Sequence, residues 1–233
     1  MPTARRTPAT RRSKAAASSK RKPATAASPP DEPLILVGPP GRLRGTVTVA
    51  NAVDERVAVR GAVLHREGEP TLSGAATALI PPGATAAVPV TLGLARTTAP
   101  GEETAELEVG GIRRPARLIV EPEPAVRVSP RRLLAAPGAL AFTLAVVNDG
   151  NVPIPLAVRT RARTDDGGPD PGPDVTLTVP DAPVVPPGGS VAVAAELTVP
   201  DLDPTRRHLA RMPVGTADID VIILPRTETE EPQ

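Results

Sequence analysis

The sequence predicts an all-β fold made of two similar β-sandwich units in tandem. Short runs of Val, Ile, Leu and Thr alternate with Pro and Gly turn signals, and no stretch sustains a 3.6-residue period. The segment Ala141–Arg159 carries two alternating runs around Asn148-Asp149-Gly150-Asn151, and Gly45–Arg60 is an earlier copy of it. Because the chain has one Phe, no Trp and no Tyr, both cores are expected to be aliphatic.

The first unit, residues 34–122, is expected to contain seven strands. Thr46-Val47-Thr48-Val49 alternates polar and apolar residues as a half-buried strand does. Gly110-Gly111 fits a two-residue hairpin turn, in which both central residues have positive φ. The strands are expected at 34–37, 46–49, 56–64, 77–80, 86–94, 104–109 and 113–120. Seven is the strand count of an immunoglobulin-like sandwich.

The second unit, residues 123–225, repeats this order after a stiff connector, Glu121-Pro122-Glu123-Pro124. Pro186-Pro187-Gly188 corresponds to Pro81-Pro82-Gly83, and Asn148 corresponds to Asn51. Seven strands are again expected, at 125–128, 140–147, 154–163, 175–179, 191–199, 208–213 and 217–224.

The segment Ala141–Arg159 is expected to form a hairpin of the second core. Its alternation places Phe142, Leu144 and Val146 on one face, and Asp149-Gly150 supplies the turn. This segment therefore indicates the fold and is not expected to form a site.

The first 33 residues form a basic segment that is expected to be disordered, because it offers almost no apolar surface to bury. Residues 1–30 contain no acidic residue, whereas residues 226–233 form a short acidic tail. Eight cations could bind nucleic acid, polyphosphate, anionic lipid or an acidic partner through counterion release. A purely solubilising role is the simpler interpretation. The candidate polyanion-binding residues are Arg5, Arg6, Arg11, Arg12, Lys14, Lys20, Arg21 and Lys22.

The lack of cysteine and of long apolar runs is used to predict the cellular compartment of the protein. The chain has no cysteine, so it has no disulfide, thiolate metal site or cysteine nucleophile. No apolar run is long enough to span a membrane, and no apolar stretch of an export signal follows the twin arginines. We expect a soluble, cytoplasmic protein without a membrane span.

Catalytic motifs are not recognisable in the sequence. His65 and His208 are the only histidines, and both are expected to be ordinary residues at strand ends. Neither a Gly-x-Ser-x-Gly elbow nor a Gly-rich phosphate loop occurs, and aromatic platforms for sugars or bases are missing. The sequence therefore predicts no enzyme, no cofactor and no small-molecule substrate.

The loop 164–174 offers the only candidate metal ligands. Carboxylate oxygens suit calcium, but the spacing matches no known calcium loop and three prolines stiffen the segment. We favour a solvated insertion that holds no metal. The candidate ligands are Asp165, Asp166, Asp170 and Asp174.

Arginines form two candidate anion-binding surfaces in the body of the protein. Arg159, Arg161 and Arg163 share one face of a strand by period-two geometry. A second group surrounds the connector. We favour solvated sheet surfaces for both, because the body is acidic overall. The second group contains Arg113, Arg114, Arg117, Arg127, Arg131 and Arg132.

The order of motifs resembles bacterial immunoglobulin-like repeat modules. The order is a strand, then Asn148-Asp149-Gly150-Asn151, a second strand, and Pro186-Pro187-Gly188 before Val191-Ala192-Val193. This order is similar to that of CARDB-like domains and of actinobacterial sandwiches labelled as hydrolytic proteins. The resemblance spans roughly residues 34–225. It implies a spacer, adhesin or scaffold. The first unit departs from it, because Asn51-Ala52-Val53-Asp54 replaces the Asn-Asp-Gly-Asn turn.

We therefore predict a non-enzymatic scaffold or protein-interaction module from a high-GC, actinobacterial-type organism. Its sandwiches are expected to bind an unidentified protein partner through sheet edges or end loops, and the basic tail to add electrostatic affinity. One alternative is a nucleoid-associated or polyanion-binding protein acting through the tail. Another is a surface adhesion-type protein.

Overall fold

The computed structural model describes residues 33–165, 167–168 and 172–225, and these residues form an all-β fold. Seventeen strands are present in this part of the chain, and the only helical element in it is a single 3-10 turn at Pro40–Arg42. The predicted all-β class is confirmed. Within the same ranges, no helix has the length and apolar character needed to cross a membrane.

Each of the seven strands expected in the first unit is present. They are β1 (Leu34–Gly38), β2 (Leu43–Ala50), β3 (Val57–His65), β4 (Leu72–Ile80), β5 (Thr85–Leu92), β6 (Gly101–Val109) and β7 (Ile112–Val120). Val47 and Val49 of β2 are buried, as the alternation predicts. Gly110 and Gly111 have φ of 64° and 83° and join β6 to β7 as a two-residue hairpin.

The first seven strands close into a barrel in the order β1-β2-β5-β4-β3-β6-β7. The sequence predicted an immunoglobulin-like sandwich here, and the closed sheet does not confirm it. Closure depends on a short pairing of β4 with β5, where Ala75 opposes Thr91. The neighbouring Gly74 permits this approach, because a Cβ there would clash with Leu92 Cδ2 and lie 2.7 Å from the Thr91 carbonyl oxygen.

The described part of the second half contains ten strands rather than the expected seven, arranged in three sheets. The five-stranded sheet has the order β12-β13-β15-β10-β8, the three-stranded sheet β16-β17-β9, and β11 pairs with β14. The strands are β8 (Val126–Ser129), β9 (Arg132–Ala135), β10 (Gly138–Asn148), β11 (Ile154–Pro155), β12 (Arg159–Arg163), β13 (Asp174–Thr178), β14 (Val184–Val185), β15 (Ser190–Val199), β16 (His208–Val214) and β17 (Ala217–Ile223).

The strand expected at 154–163 divides into β11 and β12, which lie in different sheets. Between them Leu156 is buried, and its N–H donates to the Pro183 carbonyl at 3.1 Å. Pro153 and Pro155 have no N–H to donate to a ladder, so this stretch cannot continue as one regular strand. The chain therefore changes sheets at residues 156–158.

The predicted hairpin Ala141–Arg159 is wrong for the same reason. β10 pairs with β15 and β8, not with the strand that follows it. The assignment of its inner face is confirmed at Leu144 and Val146, which have no exposed surface. Phe142 is half-buried and packs against the same core.

Two separate aliphatic clusters form the interior. One contains buried residues between Leu36 and Val120, and the other contains buried residues between Val128 and Ile223. No aromatic ring is among the fully buried side chains of either cluster, and Leu, Val and Ile fill nearly all of both. The expectation of aliphatic cores is confirmed.

Candidate functional site

All eight residues that the sequence predicts for polyanion binding by the tail lie outside the described ranges. These are Arg5, Arg6, Arg11, Arg12, Lys14, Lys20, Arg21 and Lys22, and two candidate calcium ligands, Asp166 and Asp170, are also outside them. Polyanion binding by the basic segment stays a prediction.

The two described aspartates of the loop have partners of their own. Asp165 Oδ1 accepts a hydrogen bond from the Gly167 N–H at 2.8 Å, and the Asp165 backbone pairs with Leu209. Asp174 lies on β13 with a carboxylate oxygen 4.0 Å from Arg163 Nε. In the described part of the chain, no three His, Cys, Asp or Glu side chains are grouped as a metal site requires. That this loop holds no metal stays a prediction.

Both histidines make contacts at strand ends. His65 Nε2 lies 3.1 Å from Glu108 Oε2, and Arg113 Nε donates to the same oxygen at 3.2 Å. These hydrogen bonds, Arg113 first and His65 second, hold the pKa of Glu108 below its usual value. His208 is the first residue of β16, as expected of a strand end; it is 6% exposed, and its Nε2 lies 3.1 Å from the Asp203 carbonyl oxygen.

One cavity of about 90 Å³ lies in the second half, between the start of β12 and the end of β16. Its lining residues include Leu156, Thr160, Leu177 and Val214. Ligand pockets usually enclose about 300–1,000 Å³. This cavity is therefore too small for a substrate or cofactor.

The Asn148 side chain, at the end of β10, forms hydrogen bonds with the segment before Pro186-Pro187-Gly188. Its side chain is fully buried, and Nδ2 donates to the carbonyls of Val152 at 2.8 Å and Val185 at 3.0 Å. Oδ1 accepts the Gly150 N–H at 3.0 Å. The amide thus satisfies three backbone groups of the turn, which gives it a structural role.

Asn51 forms a similar set of hydrogen bonds in the barrel of the first half. Its Nδ2 donates to the carbonyls of Glu55, Ile80 and Pro81 at 2.7, 3.0 and 3.0 Å, and Oδ1 accepts the Val53 N–H at 3.1 Å. The predicted correspondence of the two asparagines therefore extends to their hydrogen bonds. The different turn sequence after Asn51 leaves this pattern unchanged.

The connector between the two cores is held by the turn that follows Asn148. Asn151 is 2% exposed, and its Nδ2 donates to the Glu121 carbonyl at 3.0 Å while Oδ1 accepts the Glu123 N–H at 2.6 Å. The Asp149 N–H donates to the Ala125 carbonyl at 2.8 Å. Rigidity of this connector thus comes from hydrogen bonds as well as from its prolines.

The loop between β5 and β6 reaches this same turn region. A Cβ at Gly188 would lie 2.8 Å from Thr97 Cγ2, so the Pro-Pro-Gly turn of the second half contacts the first half directly. Asp149 forms a two-point ion pair with Arg127, whose Nη2 donates to Oδ1 at 2.9 Å and whose Nε donates to Oδ2.

Acid titration should report on this junction. The pKa of Asp149 lies below its ordinary value of 3.8, first because Arg127 hydrogen-bonds the carboxylate, with smaller attractions from the charges of Arg127 and Arg96 opposed by burial. A lowered folded-state pKa stabilises the fold above the ordinary value, and this contribution is lost as pH falls through the folded pKa. We expect Arg127→Gln to raise the pKa of Asp149, and Arg96→Gln to raise it less, in a carbon-13 carboxyl titration by NMR.

The matched control for these variants is Arg131→Gln, which removes a nearby exposed arginine that does not pair with Asp149. It should leave the pKa of Asp149 unchanged. An unchanged value in Arg127→Gln would contradict the ion pair, and equal shifts for Arg96→Gln and Arg131→Gln would contradict the approach of the β5–β6 loop.

An apolar row crosses the outer face of the three-stranded sheet, and it was not among the surfaces predicted from the sequence. Leu209 on β16 opposes Ile222 on β17, which opposes Leu134 on β9. Leu209 is 43% and Leu134 63% exposed, whereas Ile222 between them is 8% exposed. The signal in the sequence was the run Val221–Leu224, which has no polar residue on either strand face.

A charged row lies beside the apolar row. Arg211, Asp220 and Arg132 are cross-strand neighbours on the same three strands, and Arg211 Nε lies 3.6 Å from an Asp220 carboxylate oxygen. An apolar stripe next to charged groups is typical of a surface that binds protein.

Comparisons with known proteins give no family. No family model matches the chain, and no curated protein matches it. Solved structures that match include the Escherichia coli chaperone DraB (12% identity, 82% of this chain and 94% of that one, TM-score 0.28) and the Pseudomonas aeruginosa CupB2 chaperone (12%, 76% and 89%, 0.27). A Porphyromonas gingivalis W83 protein of unknown function also matches (12%, 82% and 96%, 0.27).

At these identities and TM-scores the likeness assigns no function to this chain. The predicted membership of CARDB-like tandem repeats is nevertheless wrong, because no family model supports it. The closed barrel of the first half also departs from a tandem pair of open sandwiches.

Proposed function

We propose that this chain is a non-enzymatic protein-interaction module with two domains, residues 34–122 and 123–225, each a sandwich-like unit. The partner binds the outer face of the β16-β17-β9 sheet. The observation that carries this proposal is the row Leu209–Ile222–Leu134, in which the two outer leucines expose large aliphatic side chains on either side of the buried Ile222.

The edge of this sheet offers hydrogen bonds as well as apolar area. Within the described ranges, β9 pairs only with β17, so its other side is an unpaired strand edge. The Asp220 N–H donates to the Arg131 carbonyl at 2.9 Å. By the alternation of a parallel ladder, the backbone groups of Arg132 and Leu134 then face the open edge.

The partner that fits is an extended segment of another protein. Added to β9 as a further strand, it would hydrogen-bond to the open edge and place apolar side chains at alternate positions beside Leu134. Exposed edges of this kind are normally blocked by charge or proline. β9 carries the charged Arg132 but also the exposed Leu134, which favours a binding role.

Replacing Leu134 by aspartate should abolish partner binding. The change removes an anchoring side chain and places a charge at the apolar row, so retention should fall by about tenfold or more, as for an anchor worth about 1.4 kcal/mol or more. The measurement is quantitative recovery of bound protein from extract of the source organism on immobilised wild type, Leu134→Asp and Leu209→Asp.

Leu79→Asp is the matched control, because Leu79 is also 63% exposed but lies on β4, away from the row. A partner retained by wild type and Leu79→Asp and lost with both row variants supports the proposal. Equal retention by Leu134→Asp, or equal loss with Leu79→Asp, contradicts it.

A further inference from the structure

β12 carries three exposed arginines on one face. Arg159, Arg161 and Arg163 alternate with the less exposed Thr160 and Ala162, as predicted from the period of two. Their cross-strand neighbours on β13 are Thr178, Thr176 and Asp174. Successive arginines are about 6.6 Å apart along the strand, since a strand rises about 3.3 Å per residue.

The charge of this row is poorly compensated. Among the described carboxylates, one approaches this row: an Asp174 oxygen lies 4.0 Å from Arg163 Nε, with both side chains well exposed. Arg159 and Arg161 have no ion-pair partner among the described residues. Such a row attracts anions, because neighbouring positive charges add their potentials.

A fourth arginine reinforces the row. Asp165, just beyond β12, pairs in antiparallel fashion with Leu209 of β16. Continuing that register places Arg211 level with Arg163. Arg211 Nε lies 3.6 Å from an Asp220 carboxylate oxygen, which compensates part of its charge. The rest of that charge adds to the positive potential of the row.

The chain itself contains a segment complementary to this row. Residues 226–233 read RTETEEPQ, with Glu228 and Glu230 separated by one threonine. In an extended conformation these two carboxylates lie on one side about 6.6 Å apart, the same repeat as the arginines. Threonine between them favours an extended strand.

The position of β17 brings this segment within reach. Ile223, its last residue, pairs with His208, and the next residue of β16, Leu209, pairs with Asp165 at the end of β12. Two strand spacings, about 10 Å, therefore separate the end of β17 from the end of β12. Glu228 is five residues beyond Ile223, which spans up to about 17 Å when extended.

We propose that residues 226–233 dock as an extended acidic strand along the arginine row of β12. Glu228 then faces Arg163, and Glu230 faces Arg161. The segment covers the basic surface of the second half, which adjoins the apolar row that carries the proposed function, because Leu209 of that row pairs with Asp165 just beyond β12.

A spin label tests this placement directly. The chain has no cysteine, so Thr229→Cys gives a single labelling site in the full-length protein. Paramagnetic broadening of backbone amide signals is expected at Arg159–Arg163. It should be lost with Arg159→Gln, Arg161→Gln and Arg163→Gln combined, and in about 1 M salt, where the screening length falls to about 3 Å.

The matched control combines Arg42→Gln, Arg44→Gln and Arg60→Gln, which remove the same charge from exposed positions in the first barrel. That variant should keep the broadening at β12. Broadening centred on another surface, or broadening at β12 that persists in the β12 variant, overturns the proposal. Preserved amide dispersion in the same spectra shows that each variant is folded.

Discussion

Replacing Asn148 by aspartate should lower the free energy of unfolding by about 3 kcal/mol or more, although the side chain keeps its shape. The carboxylate would face the carbonyl oxygens of Val152 and Val185, which now accept hydrogen bonds at 2.8 and 3.0 Å. Two donors are lost and a charge is placed at a fully buried position. Urea unfolding monitored by circular dichroism measures the change.

The pH dependence of this variant's stability distinguishes a buried carboxylate facing two carbonyls from a nonspecific loss of stability. Repulsion by the two carbonyls and burial raise the folded-state pKa of an aspartate at position 148. A raised pKa means that the protonated form stabilises the fold at low pH, and this contribution is lost as pH rises through the folded value. The deficit relative to wild type should therefore shrink at acid pH.

Two further variants serve as controls. Asn51→Asp should have a similar effect on the first barrel, because its amide faces the carbonyls of Glu55, Ile80 and Pro81. Thr143→Asp adds the same charge on the exposed face of β10 and should cost less than about 1 kcal/mol. Equal costs for Asn148→Asp and Thr143→Asp would contradict the buried role of the amide.

The hydrogen bonds of these two asparagines could not be predicted from local sequence patterns, whereas the strands could. Alternation located the strands of the first barrel, because the side-chain period of a strand is visible in any short window. An asparagine after a strand reads equally well as an exposed turn residue. Its burial depends on carbonyls distant in sequence, such as Val185 for Asn148, and local composition does not reveal that pairing.

The pairing between strands likewise could not be predicted from the sequence. Residues 154–163 have the composition of one strand, but β11 and β12 find partners in β14 and β13. The apolar row is another case, since Leu134 and Leu209 become neighbours of Ile222 only through the order of three strands. The face of the three arginines on β12 needed only the period of two, so it could be predicted.

Replacing Gly150 by alanine should disturb the connector between the two cores. A Cβ at this buried position would clash with the Glu123 carbonyl oxygen and lie 2.7 Å from the Ala125 nitrogen, and both are backbone atoms that cannot rotate away. The connector must shift, which strains the Asn151 bonds to Glu121 and Glu123. A loss of about 1–3 kcal/mol is expected, as for other overpacked sites.

Hydrogen exchange shows whether that loss is local. The Glu123 N–H, which donates to Asn151 Oδ1 at 2.6 Å, should exchange faster in Gly150→Ala, while amides within β2 and β5 keep their protection. Gly41→Ala is the control, because a Cβ at Gly41 has no atom within 4 Å. If both alanine variants leave the Glu123 N–H equally protected, the connector is not held by the Asn148–Asn151 turn. Faster exchange in Gly150→Ala alone means that the close approach of backbone to backbone at Gly150 fixes the path of the chain between its two cores.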